Sequence, residues 1–226
     1  MPITSGLSGQ GLAYHVDIVL CIDATGSMAP IINKVKESAL SFYQKFVDEM
    51  EKKLKSVQQL RMKVIVFRDY GVDSEPMTES KFFVLDEEKE EFKNYVNSIE
   101  AIGGGDEAES SLEAIALAMK SDWVKTGSVR RHVIILYSDA PALPLGTHKD
   151  KPGYPSDMPA NLAELHERWE EQDREKRAKR MLIFAPGVEP WTNMLWDQVF
   201  HTPSKAGGGC DDTDIETCIS MLVNSI

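Results

Sequence analysis

The sequence predicts an α/β fold built on an open, doubly wound, mostly parallel sheet with helices on both faces. Three observations predict it. Apolar runs of strand length recur at residues 16–22, 62–67, 133–137 and 181–184, unbroken rather than alternating, as in strands covered on both faces. Segments with helical spacing separate these runs. The 226 residues, 42% of them hydrophobic, contain neither an internal repeat nor an interdomain linker, which fits one domain with a sizeable core.

Taken in order, residues 1–13 read as a flexible polar arm punctuated by Gly6, Gly9 and Gly11, and residues 14–226 as the domain. The first strand, 16–22, runs directly into Asp23. Ile32, Val35, Ala39, Phe42, Phe46, Met50 and Leu54 then recur every three or four residues, the mark of a long amphipathic helix. Its back half carries Glu49, Glu51, Lys52, Lys53 and Lys55, a solvated face. Residues 82–85 follow the second strand as a short edge strand. Phe92, Val96 and Ile99 mark one helix, and Leu112, Ile115, Ala116 and Met119 another. Segment 161–180 is helical in its first half through Leu162, Leu165 and Trp169, and its densely charged second half reads as exposed helix. Trp191, Leu195 and Trp196 suit a short helix after Pro190, with both tryptophans in the core. Gly207-Gly208-Gly209 is a loop, and Asp212 or Thr213 caps a last helix with Ile215, Cys218, Ile219 and Leu222 on its apolar face.

A formal net charge of −11 argues against nucleic acid and anionic membrane surfaces as general partners. No segment is apolar enough over bilayer length, and the first residues lack the basic and apolar regions of a signal peptide, so the expected location is cytoplasmic. Cys21, Cys210 and Cys218 are too few and scattered for a disulfide framework or a zinc site; free thiols in a reducing compartment are expected, with a Cys210–Cys218 pair as the alternative and Cys21 a small core residue.

The chemistry concentrates at strand ends. Asp23-Ala24-Thr25-Gly26-Ser27 places a carboxylate and two hydroxyls at alternate positions on a tight turn. These are hard oxygen donors of the kind Mg²⁺ prefers. Capping of the next helix is equally available to the same residues, with Pro30 suited to its first turn. The strand 133–137 leads into Ser138-Asp139, and in doubly wound sheets ligands sit outside the carboxyl ends of the strands. Asp23 and Asp139 therefore share one rim. Gly103-Gly104-Gly105-Asp106 adds a third acid-bearing turn, where Asp106 either points at that rim or caps the following helix with Glu109 in the reciprocal position.

Asp23-x-Thr25-x-Ser27, Asp106 after a glycine run and Asp139 after a buried strand together resemble the metal-ion-dependent adhesion site of von Willebrand factor type A domains. The resemblance runs from about Tyr14 to the C-terminus. Phe67-Arg68-Asp69, the Gly-Gly-Gly-Asp-x-x-Glu run, Asp139-Ala140-Pro141 and Tyr154-Pro155 are similar to the branch found beside alpha-type kinases and in hemicentin-like proteins. The family implies a Rossmann-like sheet of six strands in the order 3-2-1-4-5-6 with one antiparallel edge strand. It also implies a non-enzymatic module that binds Mg²⁺ (Mn²⁺ or Ca²⁺ as alternatives) through Asp23, Thr25, Ser27, Asp106 and Asp139, with the Asp or Glu of a protein partner completing the octahedron. Thr25 stands where the motif has serine and Asp106 where many members have threonine. Three carboxylates would set a formal −3 against the +2 ion, holding it well and weakening it as an electrophile. Residues 140–160, long and proline-rich, read as a binding loop with His148 and Tyr154 as contacts, a plain spacer being the alternative. Asp69, closing Phe67-Arg68-Asp69, is a further candidate contact, with Arg68 orienting an acid or forming an exposed ion pair.

Two rival readings differ in class. In a haloacid-dehalogenase-like phosphoryl-transfer hydrolase Asp23 would be the nucleophile, but the later acidic motif would have to follow a strand, and Asp106 follows the helical spacing of Phe92, Val96 and Ile99. A metal-free scaffold would use the same acids as caps and would gain no thermal stability from Mg²⁺.

Overall fold

The computed structural model describes residues 13–105, 107–172, 178–203, 219–220 and 223. Residues 1–12, Asp106, Gly207-Gly208-Gly209, Cys210, the caps Asp212 and Thr213, and Ile215, Cys218 and Leu222 lie outside the described residues. Five strands, β1 (Ala13–Asp23), β2 (Ser56–Phe67), β5 (Val129–Tyr137), β6 (Lys179–Ala185) and β7 (Val199–Pro203), pair in parallel in the order β2-β1-β5-β6-β7. On the far side of β2, β3 (Met77–Glu79) and β4 (Phe83–Val84) both pair antiparallel. The expected doubly wound sheet is present, with seven strands rather than six among the described residues, because the antiparallel edge is broken in two. Ser80 makes the break: its Oγ accepts from Val64 N (2.8 Å) and donates to Lys81 O (2.7 Å), so a side chain stands in for one rung of the ladder.

Successive β1 side chains point to opposite faces. Ile18, Leu20 and Ile22 pack with α1 (Ile32–Lys52), α2 (Lys89–Ser98) and, from the chain's end, Ile219 and Val223. Val19 and Cys21 pack on the other face with α3 (Ser111–Met119), α4 (Leu162–Glu171) and Trp191. Cys21 is fully buried, and burial pushes its thiol pKa far up. Asp17, also fully buried, is held by Arg61 through both carboxylate oxygens (2.8 and 2.6 Å) and by Val124 N (2.6 Å), as a buried charge must be.

Several elements differ from the sequence expectation. β1 starts at Ala13, inside the expected arm. The short helix after Pro190 is a 3₁₀ turn, Trp191–Asn193, and Leu195 is 88% exposed rather than packed. Trp191 is buried, whereas Trp196 is half-buried and stacks on His166 (4.8 Å between centroids). Helix α4 stops at Glu171, short of the expected charged half. None of the described helices is long and apolar enough to cross a membrane.

Candidate metal centre

β1 and β5 are neighbours, with Ile22 opposite Tyr137, so Asp23 and the pair Ser138-Asp139 leave the sheet side by side. Asp23 Oδ1 accepts from Thr25 N (3.0 Å) and Thr25 Oγ1 (2.7 Å), and Asp23 Oδ2 accepts from Ser138 Oγ (2.7 Å). Thr25 Oγ1 lies 3.1 Å from Ser27 Oγ, and Ser27 Oγ donates to Asp139 Oδ1 at 3.0 Å. Four of the five expected metal-site residues, Asp23, Thr25, Ser27 and Asp139, thus form one continuous chain of oxygens. Asp106, the fifth, lies outside the described residues.

The proton inventory of this chain is informative. Three oxygen–oxygen contacts link Asp23, Thr25, Ser27 and Asp139, but with both carboxylates ionised the two hydroxyls supply only one hydrogen each. One contact is therefore lone pair against lone pair, and a cation would relieve it. Asp23 and Thr25 are buried, while Ser27 is exposed, so the chain opens to solvent at Ser27. Burial pushes the Asp23 pKa up to about 6; hydrogen bonds from Ser138 and Thr25 oppose the rise, and the nearby Asp139 charge adds to it. No three His, Cys, Asp or Glu side chains gather among the described residues. The set is two carboxylates and two hydroxyls, hard donors that fit Mg²⁺ chemically.

The surrounding loops are locked by backbone contacts. Gly26 N donates to Gly103 O (3.0 Å) and Ile102 N to Ala24 O (2.9 Å). Gly103 and Gly104 have φ of +76° and +78°. A Cβ on Gly103 would lie 1.9 Å from Asp73 Oδ1, and one on Gly104 would lie 3.0 Å from Thr25 Cβ, so only glycine lets this run rest on the Thr25 turn. Arg68 pairs with no acid in the described contacts. Its guanidinium donates to four carbonyls, those of Ala24, Ile102, Glu75 and Glu100 (2.9–3.3 Å), joining the end of β1 to the glycine loop. Sequence reasoning missed this role, and also Ser138, whose place beside Asp23 follows only from strand register.

Three further expectations need correction. Glu109 does not lie in the first turn of a helix: α3 begins after Ser110, and Glu109 is buried with its backbone bridging the 140–160 loop (Glu109 N to Pro141 O, 3.0 Å; Leu143 N to Glu109 O, 2.9 Å), while its expected partner Asp106 lies outside the described residues. Asp69, proposed as a partner contact, is 1% exposed; its Oδ1 accepts from Gly71 N (2.7 Å) and sits 3.2 Å from His148 Nε2. The Tyr154 hydroxyl is engaged within the chain, donating to Glu113 Oε1 (2.9 Å) and accepting from Gly146 N (3.0 Å), while its ring meets Tyr70 edge-on at 5.0 Å. His148 keeps about a fifth of its side chain exposed. These contacts order the 140–160 loop against α3 and the turn after β2.

No curated protein sequence matches the chain. Among solved structures it resembles the pilus adhesin SpaC from Lactobacillus rhamnosus GG, with a TM-score of 0.57 at 11% identity over 95% of this chain and 31% of that one. It also resembles a von Willebrand factor type A protein from Catenulispora acidiphila, at 0.54 and 16% over 94% of this chain and 43% of that one. The open conformation of SpaC gives 0.54 and 10%, over 94% and 31%. The chain thus spans less than half the length of each, and at these identities the likeness is one of fold. The profile of the von Willebrand factor A domain matches residues 17–143, more than half of the sequence. With the sheet order and the strand-end loops in agreement, the chain belongs to the von Willebrand factor A domain family.

Proposed function

We propose that this domain is a divalent-cation-dependent protein-binding module whose site is a metal-ion-dependent adhesion site. Asp23, Thr25, Ser27 and Asp139, joined by Asp106, hold Mg²⁺, with Mn²⁺ or Ca²⁺ as substitutes. The observation that carries the reading is the oxygen chain from Asp23 to Asp139 with its deficit of hydrogens. When bound, the ion supplies a Lewis-acidic coordination position for the Asp or Glu of a protein partner. Asp23 and Thr25, both buried, hold the inner side of the site, and Ser27 and Asp139 hold the side nearer solvent. In this reading the hydroxyls of Thr25 and Ser27 would ligate the ion directly, and Asp139 and some of the carboxylates would act through water. The motif context favours the branch found with alpha-type kinases and hemicentin-like proteins, and the role is binding rather than catalysis.

Thermal unfolding in Mg²⁺ against chelator tests the metal. A ligand at one hundred times its Kd stabilises the native state by about 2.7 kcal/mol, so a clear rise in Tm is expected, lost in Asp23→Ala and Ser27→Ala. An unchanged Tm and no calorimetric heat with a folded chain would overturn the reading. Affinity capture from lysate in Mg²⁺, followed by chelator, tests the partner: bound proteins should elute on chelation and rebind when Mg²⁺ is restored.

A further inference from the structure

On the same rim lies a cavity of about 380 Å³ between the start of the 140–160 loop, the N-terminus of α4 and the segment leading into Trp191. Its floor is apolar and buried, Leu112 being 2% and Leu145 7% exposed, and Ala142, Leu162 and Pro190 form the walls. One charged side chain, the exposed Glu189, stands at its lining, and Glu164 is tied to the mouth by Ala160 N (2.8 Å). Ala142, in the cavity wall, is three residues from Asp139, so the Cα atoms of the two lie within about 11 Å of each other at 3.8 Å per residue. The loop between them is held by the backbone bridge to Glu109 and by Trp191 Nε1 donating to Ala140 O (3.2 Å).

We propose that this cavity is a second recognition site for the partner segment that supplies the metal-binding acid, an inference that rests on the function proposed above. It takes an apolar side chain of leucine, methionine or phenylalanine size, two to four residues from the acid, with a neighbouring lysine or arginine facing Glu189. The cavity has room for one such side chain together with its neighbour on the segment, and the apolar floor rewards burial of the side chain. The continuity of loop 139–145 ties the two sites into one surface. The acidic mouth, on a chain of net charge −11, selects a cation beside the apolar residue rather than a second acid.

The test uses the full chain labelled at leucine methyls and the probe peptide acetyl-Gly-Asp-Gly-Gly-Leu-Lys-Gly-amide, with Leu→Gly and Asp→Asn versions of it. In Mg²⁺ the parent peptide should bind about tenfold more tightly than the Leu→Gly peptide, as burial of one leucine side chain implies, and should move the methyls of Leu112, Leu145 and Leu162. Ala160→Trp, at the exposed mouth, should erase that difference. Equal binding of the Leu and Gly peptides, with binding still lost in Asp→Asn or chelator, overturns the cavity and leaves the metal site standing. Persistence of the Leu preference with no effect of Asp→Asn or chelator overturns the metal reading and the pairing of the two sites. Movement of the same methyls on raising protein concentration without peptide assigns the cavity to a second copy and overturns the proposal. So does failure of every peptide to bind at millimolar concentration.

Discussion

Lowering the pH from about 7.5 to about 5 should weaken Mg²⁺ binding roughly tenfold through Asp23, because a ligating carboxylate must be ionised. Burial places this group at about 6, against 3.8 for an ordinary aspartate. At pH 5 only about one tenth of Asp23 would then be ionised, against nearly all of it at pH 7.5, whereas an unperturbed aspartate would stay about nine-tenths ionised. Stability without metal runs the opposite way. The native state holds this proton more tightly than the unfolded chain, so the contribution is fully present below about pH 4 and is lost as pH rises through 6. A shift from 3.8 to about 6 is worth on the order of 3 kcal/mol. The chelated protein should therefore melt lower as pH rises across this window, while the increment added by Mg²⁺ grows. Calorimetric titration and melting curves in chelator and in Mg²⁺, at half-unit intervals from pH 4.5 to 7.5, read both trends. A Kd that changes less than twofold over that range would refute Asp23 as a buried, ionised ligand.

Arg68→Ala should cost about 2 kcal/mol, since several charge-assisted bonds to carbonyls go at once from a half-buried site. It should also weaken Mg²⁺ binding while the far-UV circular dichroism spectrum is retained; unchanged metal affinity would deny the loops' dependence on it. Gly103→Ala should lower stability by about 1–3 kcal/mol through the left-handed backbone and the collision with Asp73, measured by urea unfolding. Leu54, 94% exposed with φ +56° just after α1, should behave in reverse: Leu54→Gly relieves a left-handed residue that buries nothing, and Tm should rise by the equivalent of about 0.5–1 kcal/mol.

How much of this was legible in the residues differs by element. β1 and α1 are long and continuously patterned, and both stand where the spacing puts them apart from their ends: β1 starts three residues early, and α1 stops at Lys52, leaving Leu54 of the expected stripe exposed. Asp23 and Asp139 end buried strands, so their common rim follows from topology alone. β3 and β7 gave no comparable signal: the first has three residues, and the second is an edge strand with Phe200 turned to solvent and Pro203 at its end. The partners of Asp69, Tyr154 and Arg68 are set by how loops from distant parts of the chain meet. Carbonyl recognition by Arg68 leaves no trace in residue identity, because every residue carries a carbonyl. The hydroxyl of Ser138 is similar: its importance depends on which strand lies beside β1.

The arginine braced on four carbonyls has a bearing on transplantation. A five-residue Asp-x-Thr-x-Ser turn copied into another α/β scaffold would carry its donors without the scaffolding that aims them. The smallest portable unit is larger: the end of β1, the glycine run, Arg68 just after β2 and Ser138-Asp139 just after β5, held at the spacing the parallel β2–β1–β5 pairing enforces. A graft that brought all four would import a preshaped cradle, and one that brought the turn alone would import a flexible loop.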